Sequence, residues 1–173
     1  IKENEIILDN RTKLESHVTI LATDASGLVL SEKYKSVTWK SCQTLYFETY
    51  NKVIRDELIG LIPSQGALIN NIFYHTSVKT MANNKTELLS VTVIKNHSLS
   101  DEMLVSRVKA ELEEYCGIMF PKFIKLYSIP KALPNLHDVR HDLNVADTSC
   151  HIPGVFLAGD TLLNGSLLSL IHI

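Results

Sequence analysis

Two short apolar runs, one near each end of the chain, constrain the fold more than any other feature. Val18 to Ala22 (VTILA) is nearly all apolar and β-branched at its start, and Val155 to Ala158 (VFLA) is apolar throughout. Runs of this kind suit strands covered on both faces better than strands with one face in water. Each stops at small or polar residues: Thr23-Asp24-Ala25-Ser26-Gly27 after the first, Gly159-Asp160 after the second. Strands of open α/β sheets end in this way where they deliver their C-terminal ends to a ligand crevice.

The intervening sequence has a different character. Val37 to Phe47, with Trp39, Leu45, Tyr46 and Phe47, reads as a strand of bulky side chains. Leu61 to Gly66 reads as a turn, and Leu68 to Tyr74 as a second strand. Met81 to Lys85 is a polar connection of hairpin length leading into Leu88 to Ile94 (LLSVTVI), the plainest strand of the chain. Together these predict an antiparallel sheet. Nearer the N-terminus, Glu5 to Leu8 is a short run closed by an Asp9-Asn10 turn signal.

One helix is marked at both ends. Ser100 is a good N-cap, Asp101 and Glu102 put negative charge in the first turn, and Gly117 suits the C′ position. Leu104, Val108 and Leu112 recur every four residues, flanked by Val105 and Tyr115, as a core-facing stripe. Beyond it, Phe123 to Ile129 followed by Pro130 and Pro134 predicts only weak structure, and His151 to Gly154 predicts a turn.

Composition excludes several function classes. Hydrophobic residues make up 45% of the 173 and charged residues 21%, as in globular domains. A net charge of -2 provides no basic field for nucleic acid. The apolar runs fall far short of the roughly 20 residues that a membrane span needs, so membrane contact is at most peripheral. Cys42, Cys116 and Cys150 form no CxxC pair and read as reduced thiols of a cytoplasmic protein. The four Asn-x-Ser/Thr triplets, at Asn10, Asn84, Asn96 and Asn164, read as chance occurrences.

Chemistry concentrates in Val155 to Leu167 (VFLAGDTLLNGSL). Gly159 lacks a Cβ, so a ligand can approach its backbone, and Asp160 would project from the strand end as an acceptor for hydroxyls. Gly165-Ser166 could open a helix whose free N–H groups point at an anion. A polyhydroxy chain bearing phosphates, such as FAD, would be held at both points. Gly159-Asp160 by itself fits a plain turn after a core strand better than a cofactor site; the longer run carries the cofactor reading.

GVFLAGDTLLNGSL resembles the C-terminal FAD signature of the flavin-containing amine oxidase family, including its phytoene desaturase-like and protoporphyrinogen oxidase-like members. The resemblance implies that Asp160 bonds the ribityl chain and that Gly159 permits its approach. It implies that Gly165, Ser166 and Leu167 sit over the pyrimidine edge of the flavin, where amides would stabilise negative charge on reduction. VTILATDA resembles the family's strand ending in Ala-Thr, which implies that Ala22 and Thr23 lie near the adenine or pyrophosphate end. ELLSVTVIKNHSLSDEMLVSRVKAEL resembles the substrate-domain strand and its Ser-Asp-Glu helix, and IPKALPN resembles the connection back to the FAD domain.

The fold class so implied is α/β: pieces of a two-layer FAD-binding domain, residues 1–30 and 145–173, flanking an antiparallel-sheet substrate domain, residues 31–144. The function implied is FAD-dependent oxidation of an apolar or amine small molecule by hydride transfer, with no catalytic residue named. Two departures stand out. No GxGxxG occurs among the seven glycines, which together with the opening Ile1 reads as a C-terminal fragment, inactive by itself. The last helix should continue with small residues, whereas the chain reads Leu168-Ser169-Leu170-Ile171-His172-Ile173.

Competing sites are weaker. His137 and His141, four apart with Asp138 and Asp142 beside them, lack the internal Glu and third ligand of a zinc motif, so no metal is expected. No Gly-x-Ser-x-Gly elbow is present. Trp39, Tyr46 and Phe47 suit a core or a substrate cavity, and Cys150 a small packed residue. The rival reading is a non-catalytic module for protein or lipid contact without FAD. The discriminating feature is whether the strand ending at Ala158 lies parallel beside the strand ending at Ala22: an FAD domain brings them together, and an independent module has no reason to.

Overall fold

The computed structural model describes residues 5–23, 38–78, 85–136, 148–150 and 152–162. The chain divides into two compact units, one formed by Ile1–Lys40 with Leu133–Ile173 and the other by Ser41–Ala132. Among the described residues no helix is long and apolar enough to cross a membrane.

The terminal unit opens with β1 (Glu5–Ile7) and β2 (Lys13–Glu15), an antiparallel hairpin in register Ile6 to Leu14. Its turn forms at the Asp9-Asn10 signal: Arg11 takes φ 65, and the Asn10 side chain accepts from the Thr12 N–H at 3.0 Å. Next comes β3 (Thr19–Leu21).

The middle unit is built on a sheet of five strands. They are β4 (Trp39–Thr49), β5 (Gly60–Leu61), β6 (Ile69–Tyr74), β7 (Glu87–Val93) and β8 (Lys122–Pro134), in the order β5-β6-β7-β4-β8. The β6–β7 and β7–β4 pairs are antiparallel, as the sequence predicts; β5, whose Leu61 falls in the expected turn, also pairs antiparallel with β6. Alternation sets one face: Phe47, Leu89 and Tyr74 line up across three strands, and Leu45, Val91 and Ile72 form the adjacent row. A bulge at Asn70 shifts the register of β6, so Ile69 and Ile72 both face inward although three residues apart.

Helix α1 (Asp101–Cys116) covers that face with Leu104, Val108 and Leu112, all fully buried. Its expected caps form. The Ser100 hydroxyl accepts from the Met103 N–H, and Gly117 closes the helix at φ 66 while its N–H donates to the Glu113 carbonyl at 3.0 Å. The stripe also contains a charge that the hydrophobic pattern conceals. Glu111 is fully buried, and its carboxylate accepts from the Leu68 and Ile69 N–H groups at 2.8–3.0 Å and from Arg107 Nε at 2.8 Å. On the carbonyl side of the same loop, the Lys95 ammonium donates to Gln65 and Ala67, so opposite charges grip the backbone before β6.

The region after Phe120-Pro121 is more ordered than expected. Lys122–Pro134 is one thirteen-residue strand containing both prolines. It lies at the sheet edge, where a missing N–H need not break a ladder bond.

Candidate functional site

The last strand, β9 (Val155–Leu157), pairs with β3 in parallel: Thr19 with Val155, Ile20 with Phe156 and Leu21 with Leu157. Backbone bonds extend the ladder at both ends, from the Thr19 N–H to the Gly154 carbonyl and from the Ala158 N–H to the Leu21 carbonyl, each at 2.9 Å. The expected turn precedes β9: Gly154 takes φ 74, and the Val155 N–H donates to the Ile152 carbonyl at 3.1 Å. Leu21, Val155 and Leu157 form a small buried cluster with Cys150, Ile152 and Leu162 around it.

That cluster covers only one face. Val18 and Ile20 are 55% and 53% exposed, which corrects the expectation of a strand enclosed on both sides. The reason is that, among the described residues, β3 and β9 form a two-stranded sheet whose buried cluster lies on the Leu21 side.

Parallel pairing makes both strands end at the same place. Ala22 and Thr23 follow β3 and are exposed; Gly159 and Asp160 follow the buried Ala158 and are half-buried. The structure therefore brings four of the sequence-predicted site residues to one strand end. The other three, Gly165, Ser166 and Leu167, lie outside the described residues, as do His137 and His141 with Asp138 and Asp142.

Gly159 adopts φ 136, a conformation that side-chain-bearing residues rarely take. A Cβ placed there would meet no atom within 4 Å, so the backbone borders open space and crowding is not why glycine stands here. The turn is closed by the Leu162 N–H donating to the Gly159 carbonyl at 3.2 Å, which leaves Asp160 at the strand mouth. Its carboxylate engages no partner among the described residues. Open space along a glycine backbone and an acceptor beside it fit a hydroxyl-bearing chain such as the ribityl of FAD. Cys150 is held by its own turn, the Ile152 N–H approaching Sγ at 3.4 Å.

The aromatic residues separate by strand alternation. Phe47 is core, Trp39 is half-buried, and Tyr46 lies on the opposite sheet face, with its ring 5.7 Å from that of His75 and 5.9 Å from that of Tyr127. Sequence reasoning passed over His75, because a lone histidine at a strand end carries no periodic or motif signal. Among the described residues no group of three or more His, Cys, Asp or Glu could hold a metal ion.

No protein-family model and no curated protein matches the sequence. Solved structures do match the fold. An oxidoreductase from Methanosarcina mazei aligns with a TM-score of 0.66 at 11% identity, covering 98% of this chain and 46% of that one. A protein from Exiguobacterium sp. 255-15, provisionally named protoporphyrinogen oxidase, gives 0.65 at 16% identity, with 96% and 41% covered. A putrescine oxidase redesigned in its cofactor binding gives 0.58 at 10% identity, with 99% and 44% covered. The chain spans less than half the length of these structures, and at such identities the likeness is one of fold.

Proposed function

We propose that this chain is part of an FAD-dependent oxidoreductase of the amine oxidase / phytoene desaturase type. The observation that carries the proposal is the parallel pairing of β3 with β9, strands from opposite ends of the sequence. A module that binds protein or lipid without FAD has no need of that pairing. The division into a unit made from both chain ends and a unit made from the middle supports assigning the ends to the two-layer FAD-binding domain and the middle sheet to the substrate domain. Oxidoreductase names among the fold neighbours support the same class.

In this reading Asp160 accepts a hydrogen bond from a ribityl hydroxyl, and the open backbone at Gly159 lets that chain lie close. Ala22 and Thr23, one strand over, flank the adenine or pyrophosphate end. Gly165, Ser166 and Leu167 supply amides to the pyrimidine edge. Bound FAD supplies the two-electron acceptor for removal of hydride from an apolar or amine small molecule. Membrane contact is at most peripheral and the location cytoplasmic.

The test is to express the full reading frame that encodes this chain and record its visible spectrum beside that of an Asp160→Ala variant. A bound flavin band, weakened in the variant, is the expected result. A folded, colourless protein that takes up no FAD would overturn the proposal in favour of the binding module.

A further inference from the structure

At one end of the middle sheet the ladder opens. Gln43 opposite Val93 is the last pair between β4 and β7, yet β4 extends beyond it to Trp39. The segment that follows β7, the start of β4 and the middle of β8 border an open cavity of about 440 Å³. That volume falls within the roughly 300–1,000 Å³ of small-molecule sites. The described residues that line it all belong to the middle unit. They are within reach of a ligand: Ser41, Asn96 and Ser128 are exposed, and Gln43 and His97 are half-buried.

The cavity offers hydrogen bonds without uncommitted charge. Among the described lining residues Lys95 alone carries a charged side chain, and its three donors are spent on the carbonyls of Ser64, Gln65 and Ala67. His97 Nδ1 accepts from the Leu99 N–H at 3.3 Å, which puts the ring proton on Nε2. Nε2 in turn donates to Gln43 Oε1 at 2.5 Å. An imidazole in this tautomer is neutral, and the bond orients the Gln43 amide, leaving its two N–H donors for a ligand. The hydroxyls of Ser41 and Ser128 and the amide of Asn96 can each both donate and accept.

An anion finds no uncommitted cation in this lining, and a cation finds no carboxylate. Groups that donate and accept at once match vicinal hydroxyls, which do the same. Ile94 and Ile129, 53% and 40% exposed, add apolar surface for the C–H side of a ring. We propose that this cavity binds a neutral sugar ring. Gln43 donates to one hydroxyl, Ser41, Asn96 and Ser128 exchange hydrogen bonds with others, and His97 positions the Gln43 amide. The inference stands on the middle unit alone and does not require the flavin reading.

The test is titration of the full chain with D-glucose, D-galactose and D-mannose in turn, followed by NMR at the side-chain amides of Gln43 and Asn96. Saturable shifts at both amides with at least one of these sugars are expected. Gln43→Leu should weaken binding about tenfold. Ser128→Ala, at an exposed position where folding is little at risk, should weaken it by several-fold. The charged relatives D-glucuronate and D-galacturonate should bind more weakly than the matching neutral sugars. Absence of saturation with all three sugars, shifts confined to other residues, undiminished affinity in both variants, or tighter binding of a uronate than of its sugar would overturn the proposal.

Discussion

Leu21 and Leu157 lie directly opposite each other in a parallel ladder, and the Ala158 N–H continues it by donating to the Leu21 carbonyl at 2.9 Å. Both side chains are buried in the same small cluster. This pair joins the two ends of the chain and gives the candidate site its common mouth.

Leu157→Ala should therefore cost about 2–4 kcal/mol, as expected for removing a buried leucine side chain. Ile20→Thr, one residue from Leu21 but 53% exposed, should change stability of this chain by only about 0.5 kcal/mol. Denaturant unfolding of the two variants checks the contrast, and equal effects would contradict the one-sided burial of β3.

Glu111→Ala should rank among the most destabilising substitutions in the middle unit. It leaves the Leu68 and Ile69 N–H groups without their acceptor in a buried setting, at about 1–3 kcal/mol for each unsatisfied group. Glu111→Gln retains one acceptor oxygen and should lose less. Amide exchange at Leu68 and Ile69 reads the effect locally, with faster exchange expected in Glu111→Ala.

At the end of α1, Gly117→Ala forces a side chain into the left-handed region at φ 66 and should cost about 1–2 kcal/mol. The cost is purely conformational, because a Cβ there meets nothing within 4 Å. Ser100→Ala, which removes the N-cap acceptor, should cost about 1 kcal/mol. Thermal unfolding of both variants measures these losses.

The Glu48 carboxyl is held below the usual carboxylate range, first by the hydrogen bond from Lys122 and then by that from Thr86, with the Lys122 charge adding to both. Lys122 in turn is raised by the same pair. A depressed carboxylate contributes stability at pH values above its unfolded-state pKa, and that contribution disappears as pH falls through the folded-state value. Glu48 is partly exposed and its partner Lys122 largely so, and solvent screening of such a pair keeps the effect on stability small, so titration is the better measurement. In Lys122→Ala, the Glu48 midpoint followed by carboxyl NMR should move up toward the ordinary value.

Much of the fold was legible in short windows of sequence. Ser100, Asp101, Glu102 and Gly117 mark α1 because caps and charge–dipole contacts act within one helical turn. The strands β4, β6 and β7 are visible because bulky and β-branched residues bounded by turn residues need no distant information. The stripe Leu104, Val108, Leu112 shows which helix face is buried, but it hides Glu111. A carboxylate becomes tolerable there only because backbone N–H groups from a loop far away in sequence, and Arg107 on the same helix, meet it. The strand β8 was missed for a related reason: Pro130 and Pro134 argue against a strand, and only an edge position removes their penalty.

At the candidate site the division is equally physical. The sequence by itself determined two apolar runs that end in small or polar residues, and the resemblance of the second to a flavin signature suggested that they meet. Their parallel pairing, the φ of Gly159 and the exposure of Val18 and Ile20 were decided by tertiary structure alone. So was the meeting of His75 with Tyr46, Phe73 and Tyr127, since contacts between residues far apart along the chain are set by how strands are ordered in a sheet. Local pattern selects which residues form strands; closing the long loops between them selects their neighbours, and no short window of sequence encodes that choice.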